Sequence, residues 1–564
     1  MLLGTKDHQT LLQHPQSPDS CQDLLLQLET LVNNRQVFPQ EFTQHLYCLL
    51  IINGTLFAKH KGLTPALMLK TTSLFACIGK TLKREYLVSL LLTSLQKEAF
   101  LTAFHGLHAY SCTIAYPECR KHLLEALWTL SCFWEANQSM QLQQRYLHYT
   151  AFYLQPLSQQ LDIKGEFIRW SSAAPTSILA FPWALTLERK ALLLRVQNSV
   201  QMRNELQDTF FRALFAGIQN PFLVLEVARE RLLQDTEAAL AALPENELRK
   251  QLKVKFIGEE GVDEGGLQKE FFSLVTRALL HSGLFGEKNG FWWFQPYPNP
   301  NPRPLYQLAG KLVGLAMYNS VLLDIPFPRF VYKRLLGKSV GLEDLQEIDP
   351  ALYSSLSWIL NESTPAEWSS LALDWTCEIE GKVWTLGSGP LAWTNREAYV
   401  SAYVERVLID GIQGPFDEFR KGFYTACPSP MLTQMLIAEE VALLVGGTPL
   451  LDFEEWRKSA RYEHGYHADH PLILDFWAIV QGPEWTDAKR RKLLAFCTGS
   501  DRAPVGGLGN VTLTIARAGP DSDRLPSAHT CFNVLLLNEY SGGRGRLETM
   551  LSIAVENYEG FGLI

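Results

Sequence analysis

Hydrophobic residues in the first part of the chain recur at helical spacing. Leucine-rich stretches such as DLLLQLETLV and YLVSLLLTSLQ alternate with polar residues between about residues 21 and 160, and strand-like alternation is scarce there. No repeat period typical of a helical solenoid is found. The pattern therefore predicts an α-helical N-terminal region over residues 1–160 and leaves the function of that region open.

The helical pattern is interrupted and then replaced in the middle of the chain. AAPTSILAFP breaks it, and helical segments return at residues 185–203 and 223–243, so residues 161–245 are predicted to be connecting helices. KVKFI then predicts a short strand, GEEGVDEGG a glycine-rich acidic turn, and LQKEFFSLVTRALL an amphipathic helix. A new domain is expected from residue 246.

Two further helices, a glycine pair and a smaller α/β unit complete the predicted order. Helices are expected at residues 306–320 and 328–336, followed by mixed helices and loops. Gly446, Gly447 and Pro449 then interrupt the chain, which suits a hinge over residues 447–451. An α/β unit is predicted over residues 452–564, with the strands VTLTI and FNVLLL and a closing helix near residues 546–557.

Composition and charge narrow the class of protein. The 564 residues are 47% hydrophobic and 20% charged, with a formal net charge of -8, which is ordinary for a folded chain of several domains. No basic run favours nucleic acid as a partner. The longest apolar stretch near the N-terminus, residues 46–58, is too short to span a membrane, and the start lacks the features of a secretory signal. A cytoplasmic or nuclear protein is expected.

The ten cysteines include no C-x-x-C pair, which favours reduced thiols over disulfides or a zinc site. His464, His467 and His470 with Asp469 have a metal-like spacing, but they lie in a loop without cysteine, and an ordinary loop is the preferred interpretation. The glycines of GEEGVDEGG and VGGLGN lack the context of a nucleotide site. The sequence therefore predicts neither a metal nor a cofactor.

One cysteine directly precedes a predicted strand. In LPSAHTCFNVLLL, Cys531 lies where a loop meets rigid structure, a suitable place for a nucleophile. Residues two apart in an extended chain point to the same side, so His529 is expected to share a face with Cys531 and to help form the thiolate. The alternative is that Cys531 is a buried apolar residue, the common fate of an intracellular cysteine. Spacing alone does not separate the two.

Longer motifs around this cysteine resemble a known family. LPSAHTCFN, the preceding LLAFCTGSDRAPVGG and the ending NYEGFGLI resemble the C-lobe of HECT ubiquitin ligases. VKFIGEEGVDEGGLQKEFF and YQLAGKLVGLAMYNSVLLDIPFP resemble the N-lobe, so the similarity covers about residues 246–564. It is closest to the E6-associated-protein and HERC subgroups, without the β-propeller repeats of HERC ligases.

The resemblance implies a fold and a reaction. The fold would be an α-helical N-terminal region followed by a bilobal α+β HECT domain, with the N-lobe at residues 246–446 and the C-lobe at residues 452–564. Cys531, flanked by His529 and Thr530, would accept ubiquitin as a thioester from an E2 ubiquitin-conjugating enzyme and pass it to a lysine of a protein substrate. Phe561, fourth from the C-terminus, would position the transfer. The tail lacks the terminal acidic side chain of some relatives.

The resemblance also implies a surface that receives the E2. Leu352, Leu356 and Ile359 match the family's E2-binding helix, and Tyr399 matches its aromatic position. Spacings of four and three residues place the three aliphatic residues on one helical face. The same spacing is typical of an ordinary core stripe.

Two other classes of protein compete with a ligase. A papain-like cysteine hydrolase would need its cysteine near a helix N-terminus, whereas Cys531 precedes a strand. A catalytically silent HECT-like scaffold would keep the fold without the activity, and the intact Cys531, His529 and Phe561 argue against it. A thioester assay separates the three.

Overall fold

The computed structural model describes residues 84–94, 97–140, 144–216, 220–241, 243–259, 266–295, 303–371, 373–379, 381–448, 450–530 and 532–557. Cys531, Pro449 and Phe561, and the predicted helices upstream of residue 84, lie outside these residues. The chain divides into two compact units between Leu193 and Leu194.

The regular secondary structure described in the first unit is helical, as the sequence predicts. Its helices, with the one that contains the division, are α1 (Arg84–Ser94), α2 (Lys97–Thr113), α3 (Arg120–Ser139), α4 (Gln155–Gln160), α5 (Ile163–Ser171) and α6 (Leu187–Ala216). Aromatic rings fill its core, where Phe152 lies 4.7 Å from Phe104 and 5.1 Å from Trp134 between ring centroids. Burial of these large rings gives the unit a core of its own.

The second unit contains ten strands and fifteen helices in the part of the chain that the structure describes. The elements up to residue 294 are β1 (Leu223–Val227), α7 (Leu232–Ala241), β2 (Leu252–Phe256), α8 (Gly266–Leu280), β3 (Phe285–Lys288) and β4 (Phe291–Phe294). Those up to residue 385 are α9 (Arg303–Tyr318), α10 (Arg329–Leu335), α11 (Leu345–Ile348), α12 (Pro350–Asn361), α13 (Pro365–Ser370), β5 (Thr376–Ile379) and β6 (Lys382–Thr385).

The next helices are α14 (Arg396–Leu408), α15 (Gln413–Ala426), α16 (Pro430–Met435) and α17 (Ala438–Gly446). The remaining elements are α18 (Phe453–Ser459), β7 (Arg461–Glu463), α19 (Pro471–Val480), α20 (Asp487–Thr498), β8 (Thr514–Gly519), β9 (Ser527–His529), β10 (Val534–Asn538) and α21 (Gly543–Glu556). We call the described part of residues 220–446 the larger lobe and that of residues 452–557 the smaller lobe.

The prediction of one helix over residues 223–243 is wrong at its start. Residues 223–227 form β1, which pairs in parallel with β2 from Leu223 opposite Leu252 to Val227 opposite Phe256. Alternate residues of β1 are buried, a period of two rather than 3.6. The apolar run LVLEV leads without a proline into α7, so the two elements resemble one helix in the sequence.

Close helix packing holds the larger lobe together. Helix α9 crosses α15 where Gly310 faces Phe419 and Gly422 faces Gln307, and a Cβ at Gly310 would lie only 1.9 Å from the Phe419 carbonyl oxygen. Glycine is therefore required for the two backbones to approach. The predicted helices at residues 306–320 and 328–336 are confirmed as α9 and α10.

The smaller lobe is a four-stranded sheet covered by helices. The strand order is β7-β8-β10-β9, parallel except for the antiparallel pair β10 and β9. Its core contains large side chains such as Trp456, Phe476 and Trp477, with Leu535 and Leu537 of β10. The strand predicted at VTLTI begins three residues later, as β8, and the closing helix is α21. The predicted α+β class is confirmed.

Among the described residues, no helix has both the length and the apolar composition that crossing a bilayer requires.

Candidate active site, hinge and partner surface

The residues that flank Cys531 lie at the end of a β-hairpin. Strands β9 and β10 pair with Val534 opposite His529, and the amide of Phe532 donates a hydrogen bond of 3.1 Å to the carbonyl oxygen of His529. Leu535 and Leu537, a few residues further on, are fully buried. The neighbours of the predicted nucleophile are therefore held by strands that are anchored in the core. We call residues 530–533 the cysteine loop.

The prediction that His529 shares a face with Cys531 requires an extended chain through Thr530. In the structure, β9 ends at His529 and Thr530 belongs to a turn. The alternation of side chains holds only within a strand. His529 is exposed at the edge of the hairpin, and its catalytic role stays a prediction.

Two neighbours of Cys531 have properties that the sequence reading missed. Phe532 is 62% exposed, unusual for a large aromatic residue. Asn533 has a positive φ of 52°, and its side-chain oxygen is buried with no hydrogen-bond partner among the described residues. Strain and unpaired polar atoms persist mainly where surrounding structure imposes them, often at functional sites. Asparagine two residues after the predicted nucleophile was the available signal, because, apart from glycine, asparagine is among the residues that most readily adopt a positive φ.

A lysine of the larger lobe reaches the cysteine loop. Lys269, in the first turn of α8, donates from Nζ to the carbonyl oxygen of Thr498 at 2.9 Å and to that of Thr530 at 3.5 Å. Thr498 is the last residue of α20, whose free carbonyl groups carry the negative end of the helix dipole. The ammonium group therefore joins α8, the end of α20 and the cysteine loop.

The predicted hinge lies beside a second set of contacts between the lobes. Gly446 ends α17, and Gly447 has a φ of 72°. The amide of Thr448 donates to the carbonyl oxygen of Ala503 at 2.9 Å. Arg502 donates to the carbonyl oxygen of Gly446 at 2.9 Å and forms an ion pair with Asp324. Residues 498–503 therefore contact the larger lobe on both sides, and the hinge role stays a prediction.

The residues predicted to bind the E2 are mostly buried. Leu356 is 2% exposed and Tyr399 4%, Ile359 is also buried, and Leu352 is half-buried. The Tyr399 ring lies 6.2 Å from the rings of both Trp368 and Trp375. As direct contacts, the three buried side chains are not accessible in this structure. They belong to the core beneath the predicted surface. Binding of an E2 to that surface stays a prediction.

Three of the described cysteines are poor nucleophiles. Six described cysteines are free of disulfides. Burial raises the pKa of Cys132 and of Cys427 to about 12, and it also raises the pKa of Cys497. A thiol must lose its proton to attack, so these three are inert near neutral pH.

The predicted loop interpretation of the histidine group agrees with its contacts. The rings of His467 and His470 lie 5.6 Å apart, and His470 accepts a hydrogen bond from the amide of Leu472 at the start of α19. Within the described part of the chain, no three metal-ligating side chains converge.

Comparison with known proteins assigns the class that this fold and loop define. Residues 273–564, just over half of the chain, match the family HECT-domain (ubiquitin-transferase). The chain is 30% identical over 497 residues to the probable E3 ubiquitin-protein ligase HERC4 of Homo sapiens, covering 82% of this chain and 46% of that protein.

Two other similar proteins are also named as probable ubiquitin ligases. The chain is 30% identical to the probable E3 ubiquitin-protein ligase HERC3 of Homo sapiens, over 84% of this chain and 47% of that protein. It is 33% identical to the probable E3 ubiquitin-protein ligase HECTD2 of Mus musculus, over 74% of this chain and 57% of that protein. The chain belongs to the HECT-domain ubiquitin-transferase family, and it spans about half the length of these relatives.

Proposed function

We propose that this chain is an E3 ubiquitin ligase that carries ubiquitin as a thioester on Cys531 and transfers it to lysine on a protein substrate. The observation that carries the proposal is the hairpin end at His529 and Phe532. His529 and Phe532 are exposed there, in a chain of the HECT family, whereas four of the six described cysteines are buried. Its partners are ubiquitin, an E2 and protein substrates.

The proposed reaction has two acyl transfers. The thiolate of Cys531 attacks the carbonyl carbon of the ubiquitin thioester on the E2, and the E2 sulfur leaves as a thiolate. The amine of a substrate lysine then attacks the Cys531 thioester, gives up a proton to form the isopeptide bond, and releases Cys531 as a thiolate. The first step exchanges one thioester for another, so its barrier depends chiefly on thiolate availability and on positioning of the two sulfurs.

The supporting roles are proposed from the resemblance to the family. His529 and Thr530 shape the approach to Cys531, and Phe561 docks after loading to fix the geometry of discharge. The E2 is proposed to bind the surface around α12 and α14, where Leu352 keeps accessible area. Leu356, Ile359 and Tyr399 support that surface from below.

The test is ubiquitination by the full chain with activating enzyme, E2 and ubiquitin. Wild type is expected to yield isopeptide-linked products, and Cys531→Ala none. Cys119→Ala is the matched control, because Cys119 is a half-buried thiol in the first unit and its loss should leave the products unchanged. A wild type that makes no product with any of several E2 enzymes would support the silent scaffold instead.

A further inference from the structure

The contact that Lys269 makes with the cysteine loop links two distant parts of the chain. Its Nζ atom bonds to a residue 261 positions away, Thr530, and also to Thr498. The carbonyl group of Thr530 belongs to the same peptide unit as the backbone nitrogen of residue 531. An ammonium group on that carbonyl therefore restricts the rotation of the peptide plane that directly precedes the predicted nucleophile.

The end of α20 is built to receive this ammonium group. Gly499 follows α20 in the left-handed conformation, with a φ of 78°, and its amide donates to the carbonyl oxygen of Ala495. The hydroxyl of Thr498 is engaged with the carbonyl oxygen of Leu494 at 2.7 Å. The Thr498 carbonyl is left for an outside donor, and a cation is the favoured partner at a helix C-terminus.

The stem of the lysine is packed as well as its head. A Cβ built on Gly499 would lie 3.5 Å from two carbon atoms of the Lys269 side chain and 3.6 Å from the Cβ of Thr530. The aliphatic stem of Lys269 and the Thr530 side chain therefore both lie at the end of α20, within ordinary van der Waals range of the position that a Cβ at residue 499 would take. Packing of the stem fixes the direction from which the ammonium group arrives.

We propose that Lys269 is a positioning residue that holds the peptide unit between Thr530 and Cys531 against the larger lobe while ubiquitin passes from Cys531 to the acceptor lysine. This inference rests on the proposed function and adds a residue to it. The contact acts together with that of Arg502 near the hinge, so residues 498–503 are held to the larger lobe at both ends.

The contact favours discharge over loading. During loading, Cys531 must face a sulfur on a separate protein, and a tie between the cysteine loop and α8 does not help that approach. During discharge, the acceptor amine approaches a thioester carried by the ligase itself. A fixed peptide unit then reduces the number of orientations in which the thioester is presented. Loss of the ammonium group should therefore slow discharge and leave loading nearly unchanged.

The experiment uses the full chain and separates the two steps. Lys269→Met removes the charge and keeps an apolar stem, Lys269→Arg restores a cation, and Lys338→Met is the matched control at an exposed lysine of the same lobe. Single-turnover loading is followed first, and discharge of labelled ubiquitin to lysine is then followed after loading is quenched. Hydrogen bonds to charged groups are strong, so Lys269→Met should discharge about tenfold more slowly, with partial or full rescue in Lys269→Arg.

A second measurement does not depend on activity. Hydrogen exchange should be faster in Lys269→Met for the amide of Thr448, which bonds across the lobes to Ala503, and for residues 498–503. Lys269→Arg and Lys338→Met should exchange like wild type. This result is expected whether or not the chain is a ligase, so failure of the proposed function and failure of this inference are distinguishable.

Several outcomes would overturn the inference. Wild-type discharge in Lys269→Met would do so, as would equal slowing of loading and discharge or equal defects in the Met and Arg variants. Unchanged hydrogen exchange in Lys269→Met would remove the structural basis. Ubiquitin attached to Lys269 itself during discharge would show that the lysine is an acceptor and not a positioning residue.

Discussion

The two places that the sequence assigns to ubiquitin transfer are built in opposite ways. Tyr399 and Leu356, assigned to E2 binding, are packed in a core of tryptophan and leucine side chains. His529 and Phe532, beside Cys531, are exposed at the end of a hairpin. The apolar stripe therefore forms part of a core beneath the predicted partner surface, whereas the exposed end of a hairpin is the place where chemistry is proposed.

The largest loss of stability and of loading is expected when the Tyr399 ring is removed from the core. Tyr399→Ala should lower the free energy of unfolding by about 3–5 kcal/mol, because it deletes a buried ring, and should impair loading through loss of structure. Tyr399→Phe keeps the ring and loses only a long hydrogen bond of 3.4 Å to the carbonyl oxygen of Thr376, so it should behave like wild type. Thermal unfolding and single-turnover loading are measured together.

The same two variants test whether Tyr399 is a core residue or a direct contact of the E2. If Tyr399 is a direct anchor for the E2, Tyr399→Ala will unfold like wild type, and its loading defect will shrink as the E2 concentration rises. A core residue gives the reverse, with a lower melting temperature and a defect that persists at high E2 concentration.

A smaller but selective effect is expected at the tail. Phe561→Ala should slow discharge by roughly ten- to a hundredfold while loading stays nearly intact, if docking of the ring contributes about 1.5–3 kcal/mol to the discharge geometry. A pulse-chase with labelled ubiquitin measures both steps. Leu563→Ala, on the same tail, is the control. Equal slowing of loading and discharge would indicate a general defect of the smaller lobe.

The glycine pair offers a matched test of the hinge. Gly447→Ala should slow both steps by about tenfold, because Gly447 has a φ of 72° and an added Cβ would lie 2.5 Å from the carbonyl oxygen of Ala503. At Gly446 the nearest atom is 3.6 Å away, in ordinary contact, so Gly446→Ala should be nearly silent. Equal effects of the two substitutions on loading and discharge would argue against the hinge.

The last and smallest effect is a difference in the rate of alkylation between the buried thiols and Cys531. Cys132 and Cys427 have their pKa raised to about 12 by burial, so they stay protonated at pH 8 and should resist alkylation. Cys531 should be the first modified. Peptide mapping after brief exposure to iodoacetamide measures this order, and labelling of Cys427 as fast as Cys531 would contradict it.

Periodicity predicted the elements whose period is clear. Helices α8 and α9 follow from their apolar spacing, and β10 follows from the run FNVLLL. Strand β1 was missed because LVLEV is short and continues into a helix, and β8 was displaced because the strand begins inside the apolar run VTLTI and continues through the less apolar residues ARAG. Short apolar runs contain too few residues to distinguish the strand period of two from the helix period of 3.6.

The candidate site was predictable only where it is local in sequence. Cys531 and its neighbours lie in one motif, so resemblance was enough to propose them. The contact of Lys269 joins residues 261 positions apart, which no local pattern reports. Burial of Leu356 and Ile359 was also unpredictable, because a core stripe and a binding stripe have the same helical spacing.

The central claim is that the sulfur of Cys531 carries ubiquitin, and Cys531→Ser tests it most directly. Wild type should form a ubiquitin adduct that a thiol reductant cleaves. Cys531→Ser should replace it with an oxyester adduct that resists the reductant and is cleaved by hydroxide, formed more slowly because a hydroxyl is the weaker nucleophile. A reductant-sensitive adduct that persists undiminished in Cys531→Ser would place ubiquitin on another cysteine and contradict the account.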